Sequence, residues 1–542
     1  MNSQRSILFI LLISLIFPLV TGPSTELRAG PSTELSAGPS TGLRAGLAQQ
    51  PAGPYKPVVP KAWDERALAD LQIPLVDSSR SPRDLSADDY YRIPVRPVYK
   101  TYPKYRPDSE PRDYQAWLRQ QEPVVLWDDR GHRPTLVTEA DWIAAGEMVF
   151  NAPILFSPHT ASADQMRAFI AKTGDLYGKG GVSPFTFYVI REQGKLETGE
   201  VACAECHTRV MPDGTVIKGA QGNRPIEQVT FFELADRAAK VESKGRFLAE
   251  VRQAEQSAFA APWLRSDPYA RLRRFSAAEI EAVHSAIPAG VFARQGTSPF
   301  SPAKVPDLIG IRERRYLDAT GLVQHRGIGD LMRYAALNQG MDMLARYGDF
   351  VPAGTTDVSR APSAFAFVAQ ARYSDEQLYA LALYIYSLKP PPNPNRRTTL
   401  AVRGEQIFER EGCAVCHTPP LYTNNKLTPA EGFAVPDEHR RRFDVLPTPV
   451  GTDAGLTMTT RRGTGYYKVP SLRGVWYRGP FEHNGSVATL DDWFDPNRLR
   501  DDYVPTGWKG YGVKTRPVKG HEFGLKLSSD DKRALIAFLQ TL

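Results

Sequence analysis

Cysteine is scarce in this chain: four residues in 542. All four fall in two copies of one pentapeptide, Cys203-Ala204-Glu205-Cys206-His207 and Cys413-Ala414-Val415-Cys416-His417. None is left for a structural disulfide, so the fold must rest on its core and on whatever the cysteines hold. Long apolar runs are also lacking. Outside Ile7–Val20 no segment could span a bilayer. Nor is there a large excess of charge of one sign. A net charge of +7 is mild for this length and calls for no nucleic-acid partner. The hydrophobic content of 42% is ordinary for a soluble globular chain, and the length predicts about two to four domains.

The Cys-x-x-Cys-His spacing is the attachment signal for c-type haem. Two thiols add to the vinyl groups of one porphyrin, and the following histidine sits under the iron as an axial ligand. A zinc site built from two Cys-x-x-Cys pairs would not need a histidine after each pair. A thioredoxin-like redox motif would need a single pair opening a helix in a βαβ unit. The sequence therefore predicts two covalently attached haem c groups. Cys203, Cys206, Cys413 and Cys416 are the attachment points, and His207 and His417 the iron ligands.

Arg5 followed by the apolar run Ile7–Val20, broken only by Ser14 and Pro18, reads as a secretory signal over residues 1–22. Retention as an uncleaved anchor is the alternative. Export agrees with the haem motifs, because c-type haem is attached outside the cytoplasm in bacteria. The expected location is periplasmic or secreted, with no membrane span in the mature chain. Three imperfect octads follow, Gly22–Ala29, Gly30–Ala37 and Gly38–Ala45. Such Gly/Pro/Ser/Thr repeats cannot bury a core. With the Pro-rich stretch Pro51–Pro60 they read as a disordered spacer over 23–60.

Residues 61–137 are rich in Tyr, Pro and Arg and read as short extended pieces wrapping a larger body. A helix is predicted from Thr138 to Phe150, capped by Thr138 with Asp141 three residues on. Phe185 to Val201 alternates as strands do, and Met211-Pro-Asp-Gly-Thr215 is a turn. Helical patterns occupy about 225–260, 276–287, 327–347 and 374–388, the last capped by Ser374 with Gln377. Lys389-Pro-Pro-Pro-Asn-Pro-Asn395 is the best domain boundary. Beyond it, a helix over Leu400–Arg410 leads into the second haem motif. A last helix, capped by Ser528 or Ser529, presents Leu535, Ile536, Phe538, Leu539 and Leu542 on one face.

An internal repeat ties the halves together. Lys304-Val-Pro-Asp-Leu-Ile-Gly-Ile311 matches Lys468-Val-Pro-Ser-Leu-Arg-Gly-Val475, and each is followed by a His-x-Gly, at His325 and His483. The predicted fold is mainly α: two cytochrome c-type haem domains, 61–390 and 398–542, with short strands and long wrapping loops. The first domain carries the N-terminal extension and a long insertion.

The sixth iron positions decide the chemistry. A haem with two strong ligands transfers electrons, whereas one with an open sixth site can bind O₂ or peroxide. His521, in the glycine-flanked loop Lys519-Gly-His-Glu-Phe-Gly524, is the favoured sixth ligand of the second haem. Gly520 and Gly524 would allow a close approach to a flat porphyrin. Met458 competes for the same position. His325 and His483, at matching repeat positions, are expected to hold a loop or a propionate. For His325 a catalytic role in proton transfer beside an open haem is the sharper reading. Arg312, Arg314, Arg315 and Arg326 are candidate propionate partners. Trp263, Trp476 and Tyr477 could relay electrons, with core packing as the alternative for each.

With both haem motifs, Val469-Pro-Ser-Leu-Arg-Gly474 and Pro480-Phe-Glu-His-Asn-Gly-Ser-Val487, residues 138–542 resemble the bacterial di-haem cytochrome c peroxidase superfamily. The His-Glu-Phe-Gly loop at 521 and the first-half pattern resemble its rubber oxygenase branch most closely. That resemblance implies an active N-terminal haem on His207 and an electron-transfer haem on His417 and His521. The peroxidases carry a methionine ligand fourteen residues after the His-x-Gly histidine, and related enzymes a tyrosine; here the residue is Asn497. The expected function is an exported oxidoreductase, peroxidase-like, using peroxide or O₂ and a small redox protein or other electron donor. The alternatives are a dioxygenase cleaving an apolar polymer or lipid alkene, and a non-enzymatic two-haem electron carrier. The resemblance also allows a bridging calcium, which no residue pattern in this chain marks.

Overall fold

A computed structural model describes residues 54–360 and 370–542. The expected leader and the three octads lie outside the described residues. The end of the expected spacer is described, and it is tied to the body. The Tyr55 amide donates to the Val137 carbonyl at 2.8 Å, and its hydroxyl meets that of Tyr379 at 3.0 Å.

Each half is organised on one packed pair of helices. In the first half Glu139–Asn151 packs on Asp375–Ser387; in the second Thr399–Arg410 packs on Ser529–Gln540. All four start at a Ser or Thr cap: Thr138, Ser374, Thr398 and Ser528. Each cap satisfies amide groups that a helix start leaves without partners. Both pairs close on a glycine. A Cβ on Gly146 would overlap the Ala380 carbonyl and crowd Tyr384, and a Cβ on Gly404 would overlap the Ala534 carbonyl and crowd Phe538. The same triplet, glycine on one helix with alanine and an aromatic four residues later on the other, carries the duplication into the packing. Around the first pair lie Trp142, Val149, Phe150, Leu378, Leu381 and Ile385; around the second, Ile407, Phe408, Leu535, Phe538 and Leu539. Gly404→Ala is expected to cost roughly 1–3 kcal/mol, the range for overpacking a close contact. Chemical denaturation checks this, and an unchanged midpoint would mean that the helices part freely.

The repeat is visible in the backbone as well. Gly310 and Gly474 both take left-handed φ, +72° and +74°, and each opens a one-turn 3₁₀ helix, Ile311–Glu313 and Val475–Tyr477. The expected insertion is a set of helices from Ile226 to Ser285, among them the 16-residue Lys244–Phe259, around Phe259, Leu272, Val283 and Ile287. The strands expected near 185–201 form the middle of a four-stranded antiparallel sheet, ordered Thr101–Tyr105, Val182–Glu192, Lys195–Glu200, Leu155–Pro158. The Asp213-Gly214 turn joins a hairpin of Thr208–Val210 and Val216–Lys218.

The N-terminal wrap departs from expectation. It holds three short helices, Glu65–Leu71, Ala87–Arg92 and Tyr114–Arg119, rather than extended pieces alone. Helices this short depend on docking rather than on their own periodicity. Trp63 stacks on Tyr90 with centroids 4.4 Å apart, and Leu68 and Leu71 join the main core. The pattern over 327–347 is also interrupted: its helix ends at Asn338, and Gly340 at φ +102° turns the chain into a 3₁₀ turn. The expected boundary at 389–395 carries no regular structure. The halves nonetheless interlock. Arg461 donates to the Ser257 and Ala260 carbonyls, and Arg478 pairs with Asp307 at 2.6 Å. No helix among the described residues is long and apolar enough to cross a membrane.

Candidate functional site

Cys203–Cys206 form a single helical turn directly after the strand Lys195–Glu200, and the His207 amide bonds the Cys203 carbonyl at 3.0 Å. Cys413–Val415 form the equivalent turn behind Gly412, and the His417 amide bonds the Cys413 carbonyl at 2.9 Å. Each motif thus sets two free thiols and one imidazole along one turn of chain.

The repeat prolines explain themselves here. His207 Nδ1 donates to the Pro306 carbonyl at 3.1 Å. His417 Nδ1 donates to the Tyr422 carbonyl at 3.1 Å, with the Pro470 carbonyl also bonded to the ring. Donation from Nδ1 fixes the tautomer and leaves the Nε2 lone pair for a metal. Burial pushes both imidazoles down to about 4, so each is neutral at pH 7, as a ligating imidazole must be.

The structure brings His521 to His417. Their ring centroids are 6.1 Å apart at an interplanar angle of 57°. A linear imidazole–metal–imidazole arrangement spans about 6.6 Å between ring centroids, from metal–nitrogen bonds of about 2.1 Å and ring radii of about 1.2 Å. His521 Nδ1 is buried without a hydrogen-bond partner. The cavity holding the pair is also lined by Cys413 and Cys416, by Leu490, Trp493, Phe494 and Phe523, and by the cationic Lys304, Arg314, Lys468 and Arg478 among the acidic Asp307, Asp318 and Glu482. Two thiols, two imidazoles, apolar walls and basic side chains fit a covalently held haem, which Cys413, Cys416, His417 and His521 would hold.

Arg498 positions His521. Its guanidinium donates to four carbonyls, those of Trp493, Val518, Gly520 and His521. The side chain is 2% exposed. The His521 amide bonds the Val450 carbonyl at 2.7 Å, and its φ is +50°. The glycine before it serves a different purpose from the one expected: a Cβ on Gly520 would strike the Gly451 backbone, so Gly520 permits loop-on-loop contact. Met458 lies elsewhere, packed with Ala303, Ala430, Leu456 and Tyr467. Asn497 is exposed and bonded to Asp495.

Around His207 the arrangement differs. Among the described residues no imidazole faces it as His521 faces His417. His325 is buried with both nitrogens engaged: Nδ1 donates to the Arg314 carbonyl at 2.7 Å and Nε2 accepts from Tyr386 Oη at 2.6 Å. Burial lowers its pKa and keeps it neutral. A ring held this way trades a proton only by breaking one of those bonds. His483 is held between Glu482 and Asp453. Burial disfavours its charge, but the two carboxylates prevail and raise it to about 10.

The arginine candidates separate cleanly. Arg326 pairs with Asp330, Arg315 with Asp444, and Arg312 lies over the Tyr386 ring. Arg314 alone of the four faces the cavity. Of the relay candidates, Trp263 stacks on Tyr347 within the first half. Trp476 and Tyr477 lie where the halves meet, and Tyr477 Oη donates to Asp307 at 3.1 Å, one residue from the Pro306 that supports His207. The residues that sequence reasoning passed over are Arg498, Arg478 and the two repeat lysines, Lys304 and Lys468. The lysines were signalled by opening both copies of the repeat. Among the described residues no group of three or more His, Cys, Asp or Glu side chains could hold a metal ion.

No family model matches the chain. A cytochrome-c peroxidase IdrP2 from Denitromonas iodatirespirans is 30% identical over 162 residues, covering 26% of this chain and 38% of the relative. The methylamine utilization protein MauG of Methylorubrum extorquens is 29% identical over 144 residues, 26% and 34% of the two chains. An uncharacterized protein y4iJ from Sinorhizobium fredii is 33% identical over 150 residues, 21% and 25%. The chain therefore spans less than half the length of these curated relatives. A crystal structure of a MauG-like protein associated with microbial copper homeostasis is 20% identical, covers 44% of this chain and 73% of its own, and superposes with a TM-score of 0.25, too low to argue from. These local likenesses, to cytochrome-c peroxidases and to MauG, support the resemblance of the sequence to the di-haem cytochrome c peroxidase superfamily.

Proposed function

We propose that the protein is an exported di-haem oxidoreductase of the peroxidase type, with two unlike centres. Cys203, Cys206 and His207 would hold one haem c, and Cys413, Cys416, His417 and His521 the other. The observation that carries this reading is the asymmetry: His417 has a second imidazole 6.1 Å away, and His207 has none among the described residues. Bound haem supplies one-electron redox chemistry and, where its sixth position is free, a site for peroxide. The rest is the work of this chain's residues. The Pro306 carbonyl fixes the His207 ring, and the Tyr422 carbonyl the His417 ring. Arg498 holds the His521 loop. Leu490, Phe494 and Phe523 give the second centre apolar walls, as suits an electron-transfer site. A small redox protein or another electron donor would deliver electrons.

Electron paramagnetic resonance and optical spectra, before and after peroxide, test the reading. One high-spin and one low-spin haem are expected, with the high-spin signal consumed by peroxide. In His521→Ala the low-spin signal is expected to become high-spin while haem content stays at two per chain. Two low-spin haems indifferent to peroxide would leave only an electron carrier. A high-spin haem that binds O₂ and ignores peroxide would put oxygenase chemistry first.

A further inference from the structure

Lys304 and Lys468 occupy the same place in the two copies of the repeat. Each stands two residues before the proline whose carbonyl supports a proximal histidine, Pro306 or Pro470. Each is anchored across the seam to the opposite half: the Lys304 amide bonds the His483 carbonyl at 2.8 Å, and the Lys468 amide bonds the Ala319 carbonyl at 3.1 Å. Both side chains line the cavity that contains His417 and His521, together with Arg314 and Arg478.

This edge carries more positive charge than the protein neutralises. Asp307 is committed to Arg478 and Tyr477. Asp318 is committed to Arg294 and Tyr334, and Glu482 to His483. Among the described residues, Lys304, Lys468 and Arg314 have no carboxylate at ion-pair distance. Arg314 Nη1 and Arg478 Nε are buried with no hydrogen-bond partner. Burial, and then the neighbouring guanidinium of Arg478, lowers Lys304 to about 8; Lys468 falls to about 8 by burial, despite Asp318. Half-buried charges facing a cavity without partners are costly, and a duplicated, cross-anchored pair of them marks a place built for an anion.

We propose that Lys304 and Lys468, with Arg314 beside them, form one anion-binding seam shared by the two centres, which takes the propionate carboxylates of both haems. The inference rests on the two-haem reading and extends it. The lysines would then be positioning residues, tying both cofactors to the junction of the halves. A fixed positive charge there disfavours the ferric form, so removing either lysine lowers the reduction potentials of both haems.

Spectroelectrochemical titration of the full, haem-loaded chain tests this in Lys304→Met, Lys468→Met and the matching arginine variants. In each methionine variant both potentials are expected to fall, at least one of them by a tenfold change in the ferric/ferrous ratio, about 59 mV for one electron. The arginine variants are expected to stay near the parent values. Potentials in phosphate and chloride buffers of equal ionic strength are expected to agree, because the carboxylates are the cofactors' own; a phosphate-dependent shift would mean an exchangeable anion and overturn the proposal. Two haems per chain with unmoved potentials would overturn it as well. If a methionine variant fails to fold, resonance Raman of the unmodified protein decides. Propionate bending bands that shift in D₂O support donation from the seam, and bands that do not shift refute it. Fewer than two haems in the unmodified protein would instead bring down the two-haem reading itself.

Discussion

Arg498→Leu is expected to cost the second centre its distal imidazole although no ligand is touched. The guanidinium bonds four backbone carbonyls on two stretches of chain, 493 and 518–521. Leucine leaves those carbonyls buried without donors, and each such loss costs about 1–3 kcal/mol. His521 also sits at φ +50°, a conformation that a non-glycine residue keeps only when its surroundings impose it. With the clamp gone, the bond from the His521 amide to the Val450 carbonyl still ties the loop. A net loss of about 3 kcal/mol in loop support would lower the stacked population by more than a hundredfold. The spin state of the second haem reads this directly: low-spin in the parent, predominantly high-spin in the variant, and low-spin again when free imidazole is added. A variant that stays low-spin without imidazole would show that the iron bond alone holds the loop. His521→Ala is the limiting comparison, since it removes the ring and leaves the clamp.

The candidate haem-binding residues could be picked out in the sequence because their spacing is the signal. Cys-x-x-Cys-His needs no fold to be read, and the glycine-flanked His521 stood out against a chain with few histidines. The helix pairs were also legible, because Ser374 with Gln377 and Thr138 with Asp141 mark their starts within four residues. What could not be read was anything depending on partners far apart in sequence. Arg498 looks like one arginine among many until the chain folds and brings carbonyls 20 to 23 residues away onto it. Lys304 and Lys468 open the two copies of the repeat, and only the seam makes their charges face one cavity. His325 and His483 match in sequence but not in surroundings, since one is neutral beside Tyr386 and the other charged between two carboxylates. The helices of the N-terminal wrap were missed for a related reason. Six or seven residues give too little periodicity to recognise, and their stability comes from the body they dock on.

The largest stability effect is expected outside both haem motifs, at His284→Leu in the insertion of the first half. His284 is 1% exposed and lies between Glu227, at 2.6 Å from Nδ1, and Glu255, at 3.1 Å from Nε2. Its ring stacks on Phe231 with centroids 3.6 Å apart, and Glu227 also accepts the Ala293 amide. Burial works against the imidazolium, but the two carboxylates outweigh it and raise the ring to about 10. Leucine would fill most of the space and leave two buried carboxylates unpaired, a change that typically costs about 3–5 kcal/mol. The pH dependence follows from the sign of the shift. A group whose pKa is raised on folding contributes its full stabilisation below its unfolded value, about 6.5, and loses it as pH rises through the folded value. The stability gap between parent and variant is therefore expected to be widest near pH 6.5 and to narrow towards pH 10. Denaturant titrations at several pH values measure the gap. His483 has the same sign of shift but remains in both proteins, so its contribution cancels in the difference. A gap independent of pH would mean that His284 is neutral, and that Glu227 or Glu255 carries the proton instead.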